Sequence, residues 1–125
     1  MSRFSETLLD HARSPRNGGR FDGANAVGSA SLHGKAPRTT MYLRVADNIV
    51  TRAQFEAFGC GVTIACCSAL TELLFGRTAE DCRRIQVCDV MDALDGIPAD
   101  KQFCAELARN AMQNALSLFE TSHRR

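Results

Sequence analysis

Cys60 sits between Gly59 and Gly61, where a strand-like pattern gives way to a helical one. At a helix start, unsatisfied amides and the helix dipole favour a thiolate. A thiolate is both a nucleophile and a metal ligand. The flanking glycines let the backbone turn sharply and keep bulk away from the sulfur. Cys104 falls in the first turn or two of a later helix, so the two thiols are candidates for one site. Each is also readable as a small buried hydrophobe. Cys66 and Cys67 follow Cys60 on its helix. Cys67 lies nearly on the Cys60 face, but at ~1.5 Å rise per residue it is roughly 10 Å away. Metal–sulfur bonds of ~2.3 Å cannot close that gap around one ion. Cys67 is therefore a sulfur relay, a ligand after rearrangement, or core. Cys66, Cys82 and Cys88 read as packing residues, and no Cys-x-x-Cys pair of the zinc type is present.

The surrounding pattern supplies the elements that must position these thiols. Ser5 to Arg13 reads as a short helix, with Leu8, Leu9 and Ala12 on one side. Pro15, Asn17, Gly18, Gly19 and Gly23 break it. Val27 to His33 is a weak strand candidate, and Gly34 to Pro37 a second break. Thr39 to Ala46 alternates Met41, Leu43 and Val45 with polar residues, and Ile49 to Phe58 alternates Ala53, Phe55 and Ala57 with Arg52, Gln54 and Glu56. Asp47-Asn48 between them predicts a hairpin. A plain two-residue turn would place Leu43 opposite Arg52, and a one-residue slip flips every side chain. The loop must therefore hold an odd number of residues or the ladder a bulge. A three-residue loop with Asn48 left-handed fits.

Gly61 to Phe75 is apolar on most sides and predicts a mostly buried helix, ended by Gly76. Thr78 begins a short helix reaching about Ile85, Asp89 to Leu94 is another, and Asp100 is the expected cap of a last helix running to about Glu120. The order predicts an α+β fold: an N-terminal helix, an antiparallel sheet of about three strands, and helices on one face of it.

The chain has 125 residues, 45% of them hydrophobic, and a net charge of +1. That is the size of one ordinary domain, here 1–125, with 1–3 and 121–125 expected to fray. His123-Arg124-Arg125 is read as a solvated end. The near-neutral balance excludes a dedicated nucleic-acid binder, which carries a basic stripe. No apolar run reaches the ~18 residues of a membrane span. With no signal sequence in view, a reducing, cytoplasmic setting and free thiols are expected.

Three stretches together resemble the NifU/IscU-type iron–sulfur cluster assembly scaffolds. "FSETLLDHARSPRNGGRFD" carries Asp10, His11, Pro15, Arg16, Asn17, Gly19, Phe21 and Asp22 on the family's opening pattern. "GCGVTIACCSALTELL" matches its Gly-Cys-Gly-x-x-Ile-Ala-x-x-Ser-x-x-Thr-Glu segment from Gly59 to Glu72. "IPADKQFCAELARNAMQNAL" looks like the segment bearing its last cysteine. The resemblance implies the same α+β fold and a nascent iron–sulfur cluster, or zinc in some preparations, held by three cysteines and an Asp or His. It implies a cysteine desulfurase that supplies sulfur and apo acceptor proteins that take the cluster. Cys60 and Cys104 fall on two of the ligand positions. The family's Cys-Gly-Asp falls on Pro37-Arg38-Thr39, and the histidine before its last cysteine is Phe103. Its Leu-Pro-Pro-Val-Lys chaperone segment falls on Ile97 to Lys101 and is little retained.

Iron–sulfur clusters and structural zinc need four ligands. Three repairs of the missing set are open: His33 entering from its loop, Cys67 moving in, or a homodimer in which each copy gives Cys60 and Cys104 to a [2Fe–2S] cluster. The first functional reading is a non-enzymatic scaffold that binds and passes on a labile cluster or its iron and sulfide. The second is a degenerate paralogue that binds no cofactor and serves as partner or regulatory subunit of the assembly machinery. The third is a sulfur-transfer enzyme with a persulfide on Cys60.

Overall fold

In the computed structural model, residues 3–123 are described, with side chains given as far as residue 120. Of the ends expected to fray at 1–3 and 121–125, residues 1–2 and 124–125 lie outside those residues, whereas 121–123 continue the last helix. The order is α1 (Glu6–Arg13), β1 (Ala26–Leu32), β2 (Lys35–Ala46), β3 (Ile49–Phe58), α2 (Gly61–Leu74), α3 (Ala79–Arg83), α4 (Val87–Ala93), a single 3-10 turn (Ala99–Lys101) and α5 (Gln102–His123). The three strands form one antiparallel sheet in chain order. The expected α+β architecture is present.

Alternation decides which face of the sheet is covered. Thr39, Met41, Leu43 and Val45 of β2 are buried, with more exposed residues between them. Helix α5 packs across β1 and β2, α2 packs on β3, and α1 lies against α2. The contact between β1 and α5 is backbone on backbone. A Cβ on Gly28 would stand 2.1 Å from the Ala115 amide nitrogen and 2.5 Å from the Ala111 carbonyl oxygen. Only glycine admits the helix that closely.

The β2–β3 hairpin solves the register problem by a bulge. Met41 faces Phe55 and Leu43 faces Ala53, but Val45 faces Val50, with the shift after Arg44. The extra residue, Thr51, lets Val50 and Ala53 both point inward. The turn itself has two residues, not three. Asp47 and Asn48 both take positive φ, 52° and 65°, the geometry of a tight hairpin turn. The break expected at Gly34 to Pro37 is narrower as well. His33 and Gly34 form a similar turn, and β2 already begins at Lys35.

Several helix ends follow local chemistry. Ser5 caps α1 by accepting from the Leu8 amide, and Thr78 caps α3 by accepting from the Asp81 amide. Gly76, at φ 83°, closes α2. Asp100 does not cap the last helix. It lies inside the 3-10 turn that runs straight into α5, and its carboxylate takes the Arg3 guanidinium at 2.8 and 3.0 Å.

Candidate functional site

Cys60 is the N-cap residue of α2 and is exposed. Its backbone is extended, which carries the chain out of β3, and the sulfur emerges beside the first turn of the helix. Cys104 enters from α5 and is fully buried. The two meet at Thr63. The Thr63 hydroxyl lies 3.7 Å from Cys60 Sγ and donates to Cys104 Sγ at 3.4 Å. Two helices distant in sequence thus bring both thiols to one oxygen.

The two sulfurs differ in electrostatics. Burial works against the Cys60 thiolate. The Thr63 amide and hydroxyl, the Val62 amide and the Lys101 charge outweigh it, and its pKa falls below the ordinary value. As a thiol the group makes no capping hydrogen bond; the amides facing it favour the anion. Cys104 is raised by burial, which outweighs the Thr63 hydrogen bond, and the neighbouring Cys60 adds to the rise. A cavity of about 180 Å³ opens onto Cys60, lined by Leu8, Leu9 and Ala12 of α1 and by Lys101.

Gly59 and Pro37 complete the surroundings. A Cβ at Gly59 would lie 2.9 Å from the Thr63 hydroxyl and 3.0 Å from Pro37 Cβ. Position 37 therefore borders Gly59, the residue before Cys60, and proline brings no donor there. Thr39 is fully buried, and its hydroxyl donates to the Leu107 carbonyl at 3.3 Å. Phe103 packs against the core from α5.

Other candidates are placed elsewhere. His33 is exposed in the turn between β1 and β2. Cys67 is fully buried, and burial pushes its thiol well up. Cys66 is also core, its thiol pushed up by burial first and by the nearness of Cys104 and Cys60 after it. Neither His33 nor Cys67 joins Cys60 and Cys104 in a group of three or more metal-binding side chains among the described residues. Cys82 is buried, whereas Cys88, expected to pack, is exposed on α4. The short helix leaves that side facing outward.

The opening motif forms a polar network rather than a second site. Ser68 Oγ accepts from the Arg16 amide at 2.8 Å and lies 2.7 Å from His11 Nδ1. The one Ser68 proton is then free to donate to Nδ1, which leaves Nε2–H facing Glu72 at 3.6 Å. Asn17 donates to the Thr71 hydroxyl, which donates to the Ser68 carbonyl. Asp10 pairs with Arg16. These residues clamp α1 and its following loop onto α2. Thr63 has no part in the motif and was missed in sequence. Its spacing of three from Cys60 on a helix was the available signal.

The chain matches the NifU-like N terminal domain family over residues 3–125. It is 34% identical over 113 residues to the iron-sulfur cluster assembly scaffold protein IscU 1 of Archaeoglobus fulgidus, covering 90% of this chain and 74% of that one. It is 32% identical over 122 residues to the iron-sulfur cluster assembly scaffold protein IscU of Escherichia coli K12, covering 94% of each. Among solved structures, the N-terminal NifU-like protein of Brucella abortus superposes with a TM-score of 0.74 at 18% identity over 94% of both chains. The SUF-system scaffold of Fervidobacterium islandicum gives 0.75 at 16% identity, covering 91% of this chain and 96% of that one. At such identities these two likenesses speak for the fold. The family match leaves almost nothing of the chain outside it, and the protein belongs to the NifU-like N-terminal domain family.

Proposed function

We propose that this protein is an iron–sulfur cluster assembly scaffold, holding a nascent cluster, or its iron and sulfide, through Cys60 and Cys104. The observation that carries this reading is the meeting of the two thiols at Thr63. One is exposed with a lowered pKa, the other is anchored in the core. A cysteine desulfurase delivers sulfur to the exposed thiol, and apo acceptor proteins receive the cluster. The role is carriage rather than turnover.

The donor set fits this cargo in part. A resident cluster needs four protein ligands, and one chain brings two thiolates. Pro37 and Thr39 stand at the positions that bear ligands in the proteins it resembles. The short set favours a labile cargo, and the second reading, a paralogue that binds none, is an outcome of the test.

Anaerobic reconstitution with iron and sulfide tests this directly. The scaffold reading expects a chromophore with stoichiometric iron and sulfide in the wild type and its loss in Cys60→Ser. One cluster per two chains with a doubled mass assigns it to a shared [2Fe–2S] core; one per chain assigns it to a single copy. No cluster and no bound iron or zinc at any stoichiometry gives the role to the paralogue.

A further inference from the structure

Thr63 stands between the two thiols and is fully buried. Its oxygen is 3.7 Å from one sulfur and 3.4 Å from the other. A tetrahedral ion with bonds of about 2.3 Å to sulfur and about 2.1 Å to oxygen sets each sulfur–oxygen edge at about 3.6 Å. The two observed edges lie on either side of that value, so the Thr63 oxygen already stands from each sulfur about as two ligands of one such ion do. Gly59 leaves the room for this. Any side chain there would drive into the Thr63 oxygen and the Pro37 ring. Pro37, on the far side of Gly59, has no donor; Thr63 meets both sulfurs with one.

We propose that Thr63 is the third donor of this site. Its hydroxyl oxygen joins Cys60 Sγ and Cys104 Sγ in an S2O face for one tetrahedral transition-metal ion, ferrous iron or zinc. The fourth position opens past Cys60 toward solvent. This rests on the reading of the thiol pair as metal-holding. On binding, both thiol protons leave to solvent. The hydroxyl keeps its proton, turns it away from Cys104 and offers a lone pair. A neutral oxygen is a weaker donor than a thiolate, which suits an ion held for transfer.

Cobalt(II), added anaerobically to the full chain, is the probe. Its visible bands report tetrahedral coordination, and its near-ultraviolet charge-transfer intensity counts bound thiolates. Wild type and Thr63→Ser, which keeps the oxygen, are expected to bind alike. Thr63→Val, of similar volume but without the oxygen, is expected to lose at least about tenfold in affinity and to shift the visible bands. Thr63→Cys is expected to raise the charge-transfer intensity per cobalt by about half, as two thiolates become three. Circular dichroism checks each fold. Unchanged affinity and bands in Thr63→Val, or a two-thiolate intensity in a folded Thr63→Cys, overturns the proposal. If Cys60→Ser still abolishes binding in that case, the thiol pair stands and only Thr63 falls. A wild type that takes up no cobalt removes both.

Discussion

His11 Nδ1 lies 2.7 Å from Ser68 Oγ, and this contact fastens the first helix to the second. The ring is only 6% exposed. Burial lowers its pKa and the Arg16 charge adds to that, with Glu72 and Asp10 offsetting part of it. The folded protein therefore prefers a neutral ring, whereas the unfolded chain binds a proton near the ordinary value of 6.5. The stabilisation is full above 6.5 and is lost as pH falls through that value toward the lowered folded one. Urea unfolding at pH 7.5 and pH 5.5 should show wild type weakening more than His11→Asn over this interval. At pH 7.5 the variant should be about 1–3 kcal/mol less stable, because Ser68 loses its buried partner. Equal pH dependence in the two proteins would contradict the neutral assignment.

Cys60 and Cys88 are the exposed thiols. Alkylation by iodoacetamide, read by peptide mass spectrometry, should modify these two in the folded protein. Cys66, Cys67, Cys82 and Cys104 should stay unmodified until denaturant is added. The Cys60 rate should titrate with a midpoint below the ordinary thiol value of 9.0. Lys101→Ala should raise that midpoint, since its charge is among the groups that lower it. A midpoint unmoved from 9.0 would remove the electrostatic account of the site.

Gly28→Ala should cost about 3 kcal/mol or more, since the new Cβ meets helix backbone rather than a movable side chain. Gly23→Ala is the control. Its nearest neighbours, Phe21 ring atoms, lie at 3.8 Å, and a change within about 0.5 kcal/mol is expected. Thermal unfolding of both variants tests the contrast. A tolerated Gly28→Ala would mean that α5 can lift from the sheet.

Pro37→Cys should supply a third thiolate near the pair, because position 37 borders Gly59, the residue before Cys60. A reconstituted cluster should then resist a chelator about tenfold longer than in wild type. The rate of bleaching after chelator addition measures it. An unchanged lifetime would show that this position does not reach the cargo.

Much of this arrangement was legible in the residues. Alternation in β2 marked the covered face. The parity of Leu43 against Arg52 required an odd loop or a bulge, and a bulge at Thr51 is what occurs. The two-residue turn was not legible, because it depends on both Asp47 and Asn48 accepting positive φ. Asp100 looked like a cap because its true partner, Arg3, lies at the other end of the chain. Cys88 looked like packing because a short helix shows no periodicity to say which side faces in. Cys60 and Cys104 were found by position at helix starts. Their meeting at Thr63 was not, since it depends on how α5 crosses α2, and local sequence does not encode that crossing.

Cys60 holds the N-cap of α2 without capping it. Ser, Asp or Asn at such a position commonly adds about 1 kcal/mol through a bond to a first-turn amide. The variant that destroys the site is thus the one that would best finish the helix. Screening for heat resistance alone would drift toward serine or aspartate at this position, and the hardier protein would have lost its thiol. A helix left open at its first turn is what the proposed ligand role of Cys60 costs this fold in stability.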